Sequence, residues 1–214
     1  MIKTLQQALE QRYATKVFDP SGAADEAKID TLIETLRLAP SSINSQPWHL
    51  YVITNPDEKA RIAEAAWDAN QPKFRDSSHL FLFCAKTQFG AAEVREIEER
   101  VAEVRGAAVD EDRISMMTNY VHSMSEAERG EWMKRQVYLQ FGQFLLSCAL
   151  LDLDACPVEG FRPAKMDELM ALATRGLTSV VVGVVGQRST DDFNSLDKAA
   201  KVRFTREHFL TEVR

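Results

Sequence analysis

The residues best suited to chemistry lie in the run Ala39-Pro40-Ser41-Ser42-Ile43-Asn44-Ser45-Gln46-Pro47-Trp48-His49. Pro40 and Pro47 each lack an N–H and bias the preceding residue toward extended backbone, so no helix can continue through this segment. The run therefore presents Ser41, Ser42, Asn44 and Gln46 on a stiff turn, as short, directed donors and acceptors. Such a set suits the edge of a flat, polar heterocycle better than it suits packing. Two pairs of cations accompany it. Arg12 and Lys16 follow a helical first segment, and Lys201 and Arg203 lie near the other end. In extended backbone alternate side chains share a face, so Lys201 and Arg203 would point the same way. Arginine supplies a planar fork and lysine a point charge, a sensible combination around one terminal phosphate.

The remainder of the chain bounds what these groups can serve. Its 214 residues suffice for one domain with a sizeable core, or for half of a tightly built dimer. With 45% hydrophobic and 27% charged residues the composition is that of a soluble globular protein. A net charge of −6 leaves no dense basic face for phosphates in series, which argues against nucleic acid as partner. The first seven residues hold no apolar signal core. The longest uncharged stretch, residues 136–151, contains three glutamines and falls short of a membrane span. Cys84, Cys148 and Cys156 are odd in number, without Cys-x-x-Cys spacing, and suit a reducing cytoplasm. Cys84 and Cys148 read as small buried hydrophobes, and packing is the expectation for Cys156 as well. His49, His79, His122 and His208 are scattered without ligand spacing, so no metal centre is expected.

Elements follow from periodicity. Ile2, Leu5, Ala8 and Leu9 recur at helical spacing up to Arg12. Asp25 can cap a second helix with Ile29, Leu32, Ile33 and Leu36 on its apolar face, and Pro40 closes it. Residues 48–54 read as a strand, and Pro56-Asp57 opens a helix through residue 67. Residues 79–85 and 178–186 are β-prone runs without alternation, which implies strands covered on both faces. Residues 90–105 form a charged helix whose acidic and basic side chains read as a solvated face. Ser125 and Glu128 have capping-box spacing ahead of a long helix reaching about residue 151. Its second half is apolar nearly all round and must be buried on every side, internally or at a subunit interface. No Gly-x-Gly-x-x-Gly follows a strand, which weighs against a doubly wound parallel fold. Gly183 and Gly186 within a strand read as sites of close packing. No repeat or linker divides the chain, so residues 1–214 are expected to form one domain.

Arg12-x-x-x-Lys16, Pro40-Ser-Ser-x-Asn-Ser-Gln-Pro-Trp48, Pro157-Val-Glu-Gly-Phe161 and Lys201-x-Arg203 occur in this order. In that arrangement the chain resembles the FMN-dependent nitroreductase family, from Leu5 to the C-terminus. It is most similar to the oxygen-insensitive NAD(P)H nitroreductases and their flavin-reductase and dihydropteridine-reductase relatives. The resemblance implies an α+β fold, with a small, mostly antiparallel sheet flanked by helices. It also implies an intertwined homodimer, with the C-terminal segment exchanged and two FMN sites at the interface.

Individual positions carry implied roles. Arg12, Lys201 and Arg203 match residues that hold the FMN phosphate. Tyr13 and Ala14 stand where close relatives often have His and Ser, leaving the Ala14 N–H in place of a hydroxyl. Lys16, Lys73 and Asn70 match groups near the pyrimidine end of the ring system. Pro157, Glu159 and Gly160 match the turn that aims the N–H of Glu159 at the flavin N5, with Gly160 read as giving the turn conformational freedom. Lys16, Lys73 and that N–H are the implied catalytic groups, because fixed positive charge stabilises the negative charge of two-electron reduction. Pro40, Ser41, Ser42 and Asn44 would reach the cofactor from the neighbouring subunit. Ser42, Ile43, Tyr120 and Phe204 would meet substrate or nicotinamide, with residues 115–121 as a lid and Ile43 making the contact more apolar. The implied activity is ping-pong transfer from NADH or NADPH to nitroaromatics and quinones, in the cytoplasm. Flavin or dihydropteridine reduction is the alternative activity, and a non-catalytic flavin-binding dimer the alternative class.

Overall fold

The computed structural model describes residues 4–214. The expected helical position of Ile2 lies outside the described residues. In chain order the elements are α1 (Leu5–Gln11), α2 (Glu26–Arg37), β1 (Trp48–Ile53), α3 (Pro56–Ala63), α4 (Gln71–Asp76), β2 (His79–Lys86), α5 (Ala91–Arg105) and α6 (Glu111–His122). Next come α7 (Glu126–Leu150), β3 (Asp154–Val158), α8 (Pro163–Leu169), β4 (Leu177–Gly186) and α9 (Arg206–Phe209). No helix among the described residues is long and apolar enough to cross a membrane.

The four strands form one sheet in the order β1-β2-β4-β3, antiparallel throughout. The run in β2 is buried along nearly its whole length, and its alternate residues feed two separate cores. Phe81, Phe83 and Ala85 join Val181 and Val185 on one face, beneath α2 and α7. Leu80, Leu82 and Cys84 join Val182, Val184 and Cys156 on the other, beneath α3, α4 and α8. A strand covered on both faces needs no polar alternation, and each Phe buried there contributes about 2–3 kcal/mol. Gly183 occupies the α7 side between Val181 and Val185. A Cβ there would lie 2.5 Å from the Phe144 ring, so the glycine is needed for the packing of α7.

The caps are those the sequence offers. Asp25 accepts the Ala27 N–H at 2.9 Å, and Ser125 and Glu128 close a reciprocal box at the start of α7. Two expectations change. The helix opened by Pro56 ends at Ala63 rather than residue 67, because Ala65 and Ala66 turn inward as fully buried residues on i→i+3 bonds. Helix α5 is not wholly a solvated face: Glu98 is only 2% exposed and takes the Nε of Arg113 from α6 at 2.7 Å. Residues 115–121 are a regular part of α6, with Met117 in the core and Met116 and Tyr120 outside. Several apolar side chains stay uncovered. Leu5 and Leu9 on α1, Leu139 and Leu150 on α7, and Val202, Phe204, Phe209 and Val213 near the C-terminus are all exposed.

Candidate functional site

The segment after α1 runs beside β3, because the Thr15 N–H donates to the Ala155 carbonyl at 3.1 Å. The connection after β4 fastens it from the other side. Ser189 donates its N–H to the Val17 carbonyl, and the Asn194 side-chain amide donates to the Ala14 carbonyl at 2.9 Å. Both Asp192 oxygens accept the Lys16 N–H. From there the chain continues to Lys201, whose ammonium donates to the Leu9 carbonyl and, at 2.8 Å, to that of Glu10. The two ends of the sequence are thus laced together, and Arg12, Lys201 and Arg203 meet. They line a cavity of about 460 Å³ with Ala14, Pro157 and Asn194, and a second groove with Leu5 and Leu9.

The electrostatics of this cluster point to an anion. Burial, then Arg203, holds the Arg12 guanidinium below its usual value. Burial, then Arg12 and Arg203, does the same to the Lys201 ammonium. Among the described residues no carboxylate forms an ion pair with any of the three. Three like charges left unpaired repel one another, and a dianionic phosphate would relieve all three.

A second group lies around the turn after β3. Lys73, buried in α4, donates to the Ala69 carbonyl and to Asn70 Oδ1, both at 2.8 Å. Asn70 in turn donates its amide to the Gly160 carbonyl at 2.9 Å, and Trp67 donates its N–H to the same oxygen. Burial lowers the Lys73 ammonium and the nearby Lys16 charge adds to that lowering. Gly160 does not have the left-handed backbone that its expected freedom suggested. Its need is space, since a Cβ would sit 2.3 Å from Asn70 Nδ2 and 3.0 Å from the Trp67 ring. The Glu159 carboxylate accepts a hydrogen bond from the Tyr138 hydroxyl of α7, and burial followed by that bond pushes the Tyr138 phenol up to about 12.

Of the remaining expected residues, Tyr13 lines the same cavity as Arg12 and Lys201, and the others lie elsewhere in the chain. Pro40, Ser41, Ser42, Ile43 and Asn44 line neither of the cavities that Arg12 and Lys201 share. Their loop is tightly wound: Ile43, Asn44 and Gln46 all have positive φ, of 51°, 58° and 42°. For a β-branched residue such as Ile43 this is a costly conformation, about 1–3 kcal/mol. It is held by Ser42 N–H donating to Gln136 Oε1 at 2.9 Å and by Gln46 N–H donating to Ser41 Oγ at 3.0 Å. Tyr120 meets Trp132 edge-on, and Phe204 stacks on His208 with its ring in solvent. Tyr13 is half-buried with the Arg188 guanidinium 5.2 Å over its ring. Sequence reasoning missed Asp192, Asn194 and Tyr138. A short Asp-Phe-Asn turn and a tyrosine in a helix carry no local signal of what they fasten.

The sequence model of the nitroreductase family matches residues 9–187. The chain is 39% identical over 211 residues to the oxygen-insensitive NAD(P)H nitroreductase of Salmonella typhimurium, covering 95% of this chain and 96% of that one. It is 40% identical over 198 residues to the enzyme of the same name from Enterobacter cloacae, covering 86% and 89%. In fold it is similar to a protein of Exiguobacterium sibiricum described as a nitroreductase and solved in complex with FMN, with a TM-score of 0.81 at 18% identity. That match covers 99% of this chain and 98% of that one. With the family's sequence model spanning most of its length, the chain belongs to the nitroreductase family.

Proposed function

We propose that this chain is an FMN-dependent NAD(P)H oxidoreductase of the oxygen-insensitive nitroreductase type, working as a homodimer in the cytoplasm, with residues 1–214 forming one flavin-binding domain. The observation that carries the reading is the meeting of Arg12, Lys201 and Arg203 at one cavity wall, unpaired and mutually repelling. These residues fit a terminal phosphate, and the cavity, at about 460 Å³, is in the range of a bound cofactor's share of a site. When bound, FMN supplies hydride acceptance from NADH or NADPH and two-electron delivery to a nitro or quinone acceptor using the same place.

The chain's own residues do the rest. Lys16 and Lys73 would hold fixed positive charge beside the bound ring system, favouring the negative charge that develops on reduction. Lys73 cannot swing, since it is anchored on Ala69 and Asn70. Through Asn70 it also braces the Gly160 carbonyl, and so orients the turn that presents the Glu159 N–H. Tyr138 ties down the Glu159 carboxylate, so that side chain needs no part in proton transfer.

A second copy of the chain supplies what one protomer leaves incomplete. The exposed apolar side chains of α1, α7 and the C-terminal segment support its docking there. Pro40, Ser41, Ser42, Ile43 and Asn44 would then reach the partner's flavin, and Tyr120 and Phe204 would border the acceptor. The purified protein should be yellow, bleach under anaerobic NADH or NADPH, and regain colour with menadione or nitrofurazone. A colourless preparation that stays flavin-free after incubation with FMN would end the proposal.

A further inference from the structure

Trp67 leaves 60% of its surface in solvent, yet its backbone is held from both sides. Residues 65–67 run antiparallel to residues 160–162. Arg162 donates its N–H to the Ala65 carbonyl at 2.8 Å, Ala66 bridges Phe161, and the Trp67 N–H reaches the Gly160 carbonyl at 2.9 Å. Ala65, Ala66 and Phe161 are buried, so this short ladder is anchored in the core. The Trp67 carbonyl in turn accepts the N–H groups of Asn70 and Gln71, at 2.7 and 3.2 Å. The indole lies against Gly160, where a Cβ would stand 3.0 Å from its Cε3 and 3.3 Å from its Cδ2. Among the described residues no other aromatic ring pairs with it.

A lone exposed apolar side chain is ordinary. An indole that a glycine must stay bare to admit, and that still keeps most of its surface free, is a mounted platform. It stands against Gly160, one residue on from Glu159, the N–H donor to flavin N5 in the proposed function. An indole is electron-rich, whereas nitroaromatic and quinone rings are electron-poor, so offset stacking of the two is favourable. Resting on the FMN reading, we propose that Trp67 is a specificity-determining residue whose free face supports a planar, electron-poor acceptor. The indole itself exchanges no electron or proton. An acceptor without a planar ring gains nothing from it, and the electron-rich dihydronicotinamide gains little.

The test compares Trp67→Leu, which keeps apolar bulk without the ring, with Trp67→Phe, which keeps a smaller ring. Equilibrium dialysis of the oxidised holoprotein against nitrofurazone, without NADH, reads binding free of turnover. Nitrofurazone, menadione and ferricyanide are then compared as acceptors of the NADH-reduced protein. Trp67→Leu should bind nitrofurazone about 2- to 10-fold more weakly, the range of one aromatic pair, and its KM for nitrofurazone and menadione should rise by a similar factor. The loss should spare FMN affinity, anaerobic bleaching by NADH and the reduction of ferricyanide, which has no planar ring. Trp67→Phe should recover most of it. A ring that merely props the turn predicts losses shared by FMN binding, bleaching and all three acceptors, and that result would overturn the proposal while leaving the FMN reading intact. Unchanged nitrofurazone binding in Trp67→Leu, or loss of FMN from both variants, would overturn it as well. Wild-type protein that binds no FMN would remove the proposal together with its premise.

Discussion

Arg203→Ala separates phosphate recognition from every other contribution to cofactor binding. Lys201 is the poorer probe, because its ammonium also closes the C-terminal end of α1 on the Leu9 and Glu10 carbonyls, where positive charge favours the helix. Arg203 is exposed, and its own hydrogen bond is to the adjacent Val202 carbonyl at 2.6 Å. Its removal even relieves the repulsion on Arg12 and Lys201. The flavin-free protein should therefore melt within about 2 °C of wild type, as expected for a surface substitution of about 0.5 kcal/mol. A charge-assisted hydrogen bond to phosphate is worth about 1.5–3 kcal/mol. At 1.4 kcal/mol per tenfold, FMN should bind roughly 10- to 150-fold more weakly. The assay is fluorescence titration of flavin-free protein with FMN and, in parallel, with riboflavin, which lacks the phosphate. Riboflavin affinity should be unchanged, and the FMN affinity of the variant should depend less steeply on salt. Equal losses for both ligands, or undiminished FMN binding, would refute the assignment of this cluster to phosphate.

Gly160→Ala should drive a methyl into Asn70 and Trp67, with an overpacking cost of about 1–3 kcal/mol and a fall in melting temperature of about 2–10 °C. Calorimetry showing no change would mean that the turn has room to shift. Arg113→Ala leaves the buried Glu98 carboxylate without its partner and should cost about 2 kcal/mol in urea unfolding, with Glu98→Gln restoring much of it. Burial lowers the His79 imidazole below its ordinary 6.5, outweighing the neighbouring Glu26. The unfolded chain then binds a proton more readily than the folded one below that value, so this contribution is complete above about pH 6.5 and lost as the pH falls. His79→Gln should accordingly flatten the drop in urea midpoint between pH 7 and pH 5, and an unchanged slope would exclude His79 as a source of that drop.

Where a segment's physics is local, the sequence disclosed it. The unbroken run of β2 announced a strand covered on two faces, and Ser125 with Glu128 announced the start of α7. β3 escaped notice because it has only five residues and includes Pro157, a residue tolerated there because β3 is an edge strand paired on one side alone. Glu98 looked like one more solvated charge, since nothing in α5 foretells that Arg113 will fold over it. The candidate site divided in the same way. Its cations stood out by type and spacing, whereas the groups that place them, Asp192, Asn194 and Tyr138, are ordinary residues made significant by contacts across more than twenty positions of sequence. Gly160 was noticed for the wrong physical reason: a glycine forced by a neighbouring amide cannot be told from one forced by its own dihedral until Asn70 is in place.

Gln136 and Tyr138 stand two residues apart on α7, so they project about 200° from each other around its axis. Gln136 grips the strained loop at Ser42, and Tyr138 grips the turn at Glu159. One turn of a single long rod is thus the common mount for both pieces of irregular backbone. A small roll of that rod would draw one forward as it withdrew the other, and a one-residue insertion between them would swing one mount by about 100°.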